Sequence, residues 1–395
     1  MKIAFIGQKG FPATWGGVEV HVHSLAVELG ELGHEVTVFN RTWYAPPQAD
    51  SARFEGVRLV STPSIRSASL DAISHALSST LVASLQAFDV IHYHCMGPSL
   101  LSWLPRALGQ CVVTTIHGVD YEAVKWGFVA KHALQLGEWS ALRAATRTTV
   151  VAQHLQRRYA ARGYATTYLP NGVEPIQHEP LSELPGQHGL ERRRYLLFLA
   201  RLEENKGGHE LIEAFRRCRK RGLFDGIRLV IAGGAAWQSP YAQGLRHQAG
   251  EDVWFVGQVA GKAKSALLSN AAAFVTPSWF EGLPITLLEA MSSALPCVAS
   301  DIPAHRELLD DGVSGLFHPT RSVAGLEQTL QRLAELGQAG QQRLGYAAQS
   351  RSRAYTWAAT ARGLERLYAE VAQSIGGTFS ARMSARKWRS KLAKE

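Results

Sequence analysis

Ser278-Trp279-Phe280-Glu281-Gly282-Leu283-Pro284-Ile285-Thr286-Leu287-Leu288-Glu289-Ala290-Met291 comes shortly after an apolar run, Ala272–Thr276, and reads as the turn from a buried strand into a helix. Glycine allows backbone angles closed to other residues, and proline is tolerated in a helix's first turn, so Gly282 and Pro284 mark where the loop becomes helical. A helix start leaves backbone N–H groups unpaired at the positive end of its dipole, which suits a phosphate or a sugar hydroxyl. Glu281 lies just before the start and Glu289 about two turns beyond it. A polyhydroxylated ligand can therefore be gripped at both ends, and a sugar nucleotide has that shape.

Outward from this stretch, the same strand-then-helix unit repeats. Tyr195–Arg201, Arg228–Ala232, Val253–Val256 and Pro296–Ser300 are further short apolar runs in the C-terminal half. Lys2–Gly7, Glu35–Asn40, Val57–Ser61, Asp89–His94, Cys111–His117, Thr148–Ala152 and Thr166–Leu169 form a second series in the N-terminal half, with a helix expected over Val18–Leu32 ending at Gly33. Short apolar strands alternating with amphipathic helices predict α/β architecture with parallel sheets covered on both faces. Pro170-Asn171-Gly172 breaks the series, and residues 173–194, rich in Pro, Glu, Gln and Arg, read as a linker. The division is thus 1–172, a linker at 173–194, a second domain at 195–356, a helical segment at 357–374 and a tail at 375–395. Two doubly wound domains of this kind bind ligands at the carboxyl ends of their strands, so the cleft between them is the expected site.

At 395 residues with 46% hydrophobic content, the chain has room for two to three domains with proper cores. No apolar run approaches the roughly 20 residues needed to cross a bilayer. Met1–Gly7 is interrupted too soon by Gln8-Lys9 to be a signal peptide. Cys95, Cys111, Cys218 and Cys297 are scattered, with neither zinc spacing nor a disulfide framework, so a cytoplasmic location is expected. The formal charge is +9, and much of it lies in the tail. There Arg382, Arg386, Lys387, Arg389, Lys391 and Lys394 face Glu395 alone, a net of +5. Trp388 and Leu392 suit a lipid interface while the bases meet anionic headgroups, which would make the protein peripheral on a membrane. The alternative is a solvated basic end. No aromatic–basic platform or helix-turn-helix pattern accompanies the charge, so no nucleic-acid partner is expected.

Three further segments bear chemistry. Gly16-Gly17 closes the loop after the first strand and directly precedes a helix. Its missing side chains let a pyrophosphate approach backbone N–H groups, although a plain strand-to-helix turn needs the same residues. Arg201 and Lys206 follow the first strand of the second domain, and two cations there can clamp a diphosphate and neutralise a departing nucleotide. His117 ends the strand Cys111–His117 and points to the same cleft, either to bind substrate or to cap the strand. The stretch Asp120-Tyr121-Glu122-Ala123-Val124-Lys125-Trp126 mixes polar and aromatic groups as a sugar-binding surface does, and buried packing accounts for it equally well. Gly257-Gln258-Val259-Ala260-Gly261-Lys262-Ala263 is set aside as a P-loop. Its glycines are one residue too close, and Ala263 stands where Ser or Thr must hold magnesium. No metal-ligand spacing is present, so no metal and no cofactor are expected.

Taken together, Gly16-Gly17, Arg201 with Lys206, and Glu281 with Glu289 resemble the retaining nucleotide-sugar glycosyltransferases of family 4, which have the GT-B fold: two Rossmann-like parallel-sheet domains facing each other across a cleft. Pro170-Asn171-Gly172-Val173 is similar to the phrase with which such enzymes leave the first domain. Trp357 with Ala358–Val371 resembles their closing helix, which crosses back to the N-terminal domain. The phrases Gly10–Glu19 and His117–Gly127 look like a subgroup that includes bacterial rhamnosyltransferases. The resemblance implies that Gly16 and Gly17 meet the donor diphosphate from one side while Arg201 and Lys206 hold it from the other. It implies that Glu289 bonds the ribose, that Glu281 with Gly282 and Leu283 addresses the transferred sugar, and that His117 lies beside that sugar. Here Ala200-Arg201 replaces the family's frequent Gly-Arg, and Glu174 stands where Asp is common.

The donor is then a UDP-, dTDP- or GDP-linked sugar, and the acceptor a glycan or polyprenyl-linked glycan seated near Trp15, Asp120, Tyr121, Lys125 and Trp126. No carboxylate is placed as a nucleophile, so a same-face reaction is expected, with Arg201 and Lys206 stabilising the leaving diphosphate. Two rivals stand beside this: a nucleotide-sugar epimerase of similar architecture, and a non-catalytic sugar-nucleotide binder.

Overall fold

The computed structural model describes residues 1–13, 16–44, 53–67, 70–122, 126–184, 189–234 and 239–373. Trp15, Lys125 and the tail 375–395 lie outside the described residues. The N-terminal half builds one sheet from β1 (Lys2–Ile6), β2 (Glu35–Arg41), β3 (Arg53–Phe54), β4 (Val57–Thr62), β5 (Val90–His94), β6 (Val112–Ile116), β7 (Arg147–Val150) and β8 (Thr167–Tyr168). Their order is β3-β4-β2-β1-β5-β6-β7-β8, parallel except where β3 turns back on β4. The C-terminal half builds a second, wholly parallel sheet from β9 (Tyr195–Leu199), β10 (Arg228–Ala232), β11 (Val253–Gly257), β12 (Ala273–Thr276), β13 (Cys297–Ser300) and β14 (Leu316–His318), in the order β11-β10-β9-β12-β13-β14.

The central strands are apolar along their whole length because helices cover both faces. Tyr195-Leu196-Leu197-Phe198-Leu199 is buried at every position, as is Val112–Ile116. Two strands gave no readable signal in the sequence. Strand β3 is two exposed residues long, and β14 has only three, too short for any periodicity.

Strand order reverses between β1 and β5 in the first sheet and between β9 and β12 in the second. Neighbouring loops diverge there, leaving a crevice at the carboxyl ends. The loops concerned are the glycine loop after β1, His94 at the end of β5, Ala200–Lys206 after β9 and Pro277–Gly282 after β12.

The helix spanning 357–373 returns to the N-terminal sheet. Its Trp357, Leu364, Leu367 and Tyr368 pack with Val22, Leu25 and Leu29 of the helix Gly17–Glu31. The Tyr368 hydroxyl lies 2.5 Å from His92 Nδ1 on β5. Among the described residues, no helix is long and apolar enough to cross a membrane.

Candidate functional site: the cleft between the sheets

The helix anticipated after Gly282 runs Ile285–Ser292, with Pro284 at its cap, one residue later than the sequence suggested. Glu289 is therefore its fifth residue, little more than one turn in rather than two. The preceding loop is docked on the loop after β9, since the Trp279 N–H donates to the Asn205 carbonyl over 2.9 Å. Docking brings two sequence-predicted groups into direct contact: Lys206 Nζ lies 2.5 Å from Glu281 Oε1, and both side chains are largely buried. Burial alone would push the Glu281 carboxyl up. The charge and hydrogen bond of Lys206, with smaller help from His305 and Ser278, hold it below its ordinary value instead. Arg201 is more exposed and is held by Glu203 Oε1 at 3.0 Å. It therefore faces the cleft on a tether that a stronger anion can displace.

Glu289 is gripped by a residue that the sequence did not single out, Lys264, whose Nζ lies 2.5 Å from Oε1. Lys264 belongs to the helix Gly261–Asn270, directly after the glycine–lysine run that fails as a P-loop. The signal in that run was real as a helix start and wrong as a motif.

From the other sheet, His117 follows β6 directly and touches the loop Pro277–Pro284 through its backbone. A Cβ built on Gly282 would collide with the His117 carbonyl oxygen, so only glycine permits this approach. Behind His117 stand two histidines that the sequence did not flag. His94 Nδ1 lies 3.3 Å from His117 Nε2, and the His21 and His117 ring centroids are 4.5 Å apart. Burial lowers His21 to about 4, opposed by its hydrogen bond to Asn171. Burial and the neighbouring imidazoles hold His94 and His117 well below the usual histidine value. All three rings are neutral at pH 7.

Asn171 fixes the proton on one of them. Its Nδ2 donates to the Leu283 carbonyl at 2.6 Å, so its Oδ1 must accept from His21 Nδ1 at 2.8 Å. That leaves His21 Nε2 a bare lone pair, buried and without a hydrogen-bond partner; His94 Nε2 is likewise buried without a partner. Asn171, which the sequence presented only as a domain break, thus ties the helix Gly17–Glu31 to the loop of the opposite domain. Among the described residues, His21, His94 and His117 form a group whose ligand atoms all lie within 4.8 Å of one another. Neutral imidazoles so placed can take a transition-metal ion or the hydroxyls of a sugar. Their spacing in the chain concealed the cluster because it is assembled from a helix and two strand ends.

Gly16 caps the helix Gly17–Glu31 at φ 99°, a conformation that favours glycine. The loop before it is pinned by Asn40, which accepts from the Phe11 N–H at 2.8 Å and donates to the Phe11 carbonyl at 2.9 Å. The Glu19 carboxylate lies against Gly16 and accepts from the Lys9 N–H at 3.2 Å. A phosphate can use this helix start only once Glu19 turns away. Asp120 and Trp126 are partly buried. Tyr121 is turned inward: its hydroxyl donates to Glu138 Oε1 at 3.2 Å and accepts from Arg158 at 3.1 Å. Buried Glu138 draws its donors from Tyr121, Tyr159 and Arg162, so the packing alternative accounts for Tyr121.

Two family models match the chain, "Glycosyltransferase Family 4" over residues 15–177 and "Glycosyl transferases group 1" over residues 182–351. A phosphatidyl-myo-inositol mannosyltransferase of Mycobacterium leprae is 30% identical over 389 residues, covering 95% of this chain and 98% of the relative. Among solved structures, sucrose-phosphate synthase from Thermosynechococcus elongatus superposes with a TM-score of 0.79 at 21% identity, covering 94% of this chain and 99% of that one. HepE from Anabaena, solved in complex with UDP and glucose, superposes with a TM-score of 0.73 at 19% identity, covering 96% and 100%. At these identities, the structural likenesses establish the fold.

Proposed function

The chain belongs to the GT-B nucleotide-sugar glycosyltransferases of the family 4 type, and from that premise we propose that it transfers a sugar, with retention of anomeric configuration, to a hydroxyl of a glycan or lipid-linked glycan in bacterial cell-surface polysaccharide synthesis. The observation that carries this reading is the meeting of Lys206 with Glu281 at a loop whose Gly282 lies against His117 of the opposite domain. Lys206, joined by Arg201 once it leaves Glu203, holds the donor diphosphate and takes up the charge of the departing nucleotide. Glu281 and the N–H groups of Gly282 and Leu283 address the transferred sugar. Glu289, oriented by Lys264, bonds the ribose. Gly16 and Gly17 close on the diphosphate from the other side, with Glu19 displaced.

His117 accepts a hydrogen bond from a hydroxyl of the sugar, backed by the buried rings of His94 and His21. Glu281 is committed to Lys206, which leaves the same-face route: a diphosphate oxygen takes the acceptor's proton as the sugar transfers. The cationic clamp supplies charge neutralisation, so transfer proceeds without a metal. The N-terminal phrases Gly10–Glu19 and His117–Gly127 support a rhamnosyl donor, while the named activity of the mycobacterial relative is mannosyl transfer.

The histidine cluster bears on the epimerase alternative, because it places paired imidazoles in the cleft. Their depressed values leave them unprotonated near neutrality, so they lack the acid that epimerisation needs. Thermal-shift screening against UDP-, dTDP-, GDP- and ADP-sugars tests the reading, since a bound donor raises the melting temperature by mass action. One class of donor should stabilise the protein and, with an acceptor, give a retained linkage. Conversion of that donor without any acceptor would replace transfer with epimerisation, and binding with no product on any acceptor would indicate the non-catalytic binder.

A further inference from the structure

One imidazole suffices to meet one sugar hydroxyl, yet three converge in the cleft, from the helix Gly17–Glu31 and the ends of β5 and β6. Their rings close a triangle. Centroids are 4.5 Å apart for His21 and His117, 5.4 Å for His21 and His94, and 5.6 Å for His94 and His117. One nitrogen of each lies within 4.8 Å of the others. Among the described residues, no other three His, Cys, Asp or Glu side chains come together in this way.

Two features make the cluster a prepared site. The first is the partner behind His21, whose Nδ1–H donates to Asn171 at 2.8 Å while the Asn171 amide is held by Leu283. An acceptor behind one imidazole nitrogen is what fixes the tautomer and ring orientation of a metal-binding histidine. The lone pair so presented, on Nε2, has no hydrogen-bond partner, and His21 is only 2% exposed. The second feature is the 3.3 Å between His94 Nδ1 and His117 Nε2. Two nitrogens at about 2.0–2.1 Å from one tetrahedral ion stand about 3.3–3.4 Å apart, so an ion can replace the proton these rings share. The widest spacing in the cluster has to close by at most ~1.5 Å to reach the same value.

The surroundings suit the same occupant. The wall is aromatic, with the Phe5 ring 4.9 Å from His94 and the Trp357 ring 5.6 Å from His21. His92 stacks on His94 at 4.3 Å, but Tyr368 engages its Nδ1 and Thr115 its Nε2, so it supports the cluster without joining it. His117 alone of the three is not fully buried, and a fourth ligand can enter from its side. Imidazoles without a carboxylate favour zinc and neighbouring transition metals and do not suit magnesium, which takes oxygen ligands.

The geometry points to a transition-metal site in which His21 Nε2, His94 Nδ1 and His117 Nε2 hold one Zn²⁺-class ion in the donor-free protein, with the fourth position open. The ion inhibits and takes no part in transfer, because it occupies the His117 ring otherwise offered to the sugar. The site stands on the ring geometry, and only the competition with sugar rests on the transfer reading.

The untagged full chain, stripped of metal with EDTA, is titrated with Zn²⁺ against a chromophoric chelator, and zinc X-ray absorption reads the ligand shell. One ion per chain should bind, undisturbed by excess Mg²⁺, with three imidazole nitrogens at about 2.0–2.1 Å. His21→Asn keeps a polar group opposite Asn171 and deletes Nε2, and His94→Gln deletes Nδ1. Each should weaken binding more than about a hundredfold, since losing even a partner behind a ligand costs about 10- to 100-fold. No binding, a shell with fewer than three imidazoles, or undiminished affinity in variants of wild-type melting temperature would overturn the site. The wild-type spectrum decides the matter if the variants do not fold. One equivalent of bound Zn²⁺ should also diminish the thermal shift given by the stabilising nucleotide sugar. Full affinity for both at once would overturn the competition alone, whereas failure of every nucleotide sugar to bind would count against the transfer reading and leave the zinc result standing.

Discussion

Lys206→Ala is expected to lower turnover at saturating donor by about 10²- to 10³-fold, the loss typical when a preorganised donor to a developing anion is removed. The effect is large because one deletion acts twice. It removes the cation proposed to meet the leaving diphosphate, and it strips Glu281 of the partner 2.5 Å away that keeps this buried carboxylate ionised. Without Lys206, burial pushes the Glu281 carboxyl up. Residual activity should then rise with pH as the group ionises again, a profile that a merely misfolded variant would lack. Arg201→Ala should cost less, about tenfold, because Arg201 is more exposed and already shared with Glu203. Steady-state rates across pH at saturating donor check both, and undiminished turnover in Lys206→Ala would remove the clamp.

Gly282→Ala should be nearly as damaging for a purely steric reason. The added methyl would meet the His117 carbonyl, backbone against backbone, with Val151 Cγ2 also at 3.4 Å. Neither strand end can rotate away, so the domains must part where the donor loop meets His117. A displacement of about 1 Å at a reacting centre costs on the order of a hundredfold in rate. Gly118→Ala is the control: its Cβ would find the Gly282 nitrogen at 3.7 Å, an ordinary contact, and activity should stay within about threefold. Neither change falls within a strand or helix, so circular dichroism should be unaltered. Wild-type turnover in Gly282→Ala would mean that the loop and His117 need not approach.

The fold was legible because parallel strands buried on both faces leave unbroken apolar runs, as in Tyr195–Leu199; β3 and β14, of two and three residues, carried no such run, whereas the equally short β8 was read from Thr166–Leu169. The part of the site that lies on single loops was legible as well: Glu281 and Glu289 share fourteen residues, and Arg201 and Lys206 share six. What escaped is what only packing assembles. His21 lies within a helix and His94 at the end of a buried strand, where spacing makes them look like core histidines. Asn171 was read for its turn-forming neighbours, while its amide spans the cleft from His21 to Leu283. Lys264 reaches Glu289 because two helices lie side by side, which no local pattern records. Tyr121 turned inward because the buried carboxylate of Glu138 needs donors.

Glu289→Gln tests the donor grip most directly. It keeps the shape of a side chain whose expected duty is to bind the ribose, and the variant should be titrated calorimetrically with the stabilising nucleotide sugar while turnover is followed in parallel. Donor affinity should weaken by about 10- to 100-fold, while turnover at saturating donor stays within about threefold of wild type, because the lost interaction serves ground state and transition state alike. Unchanged donor affinity with a large loss of turnover would instead place Glu289 in the chemical step and contradict the reading of the Glu281–Glu289 stretch as a grip on the donor.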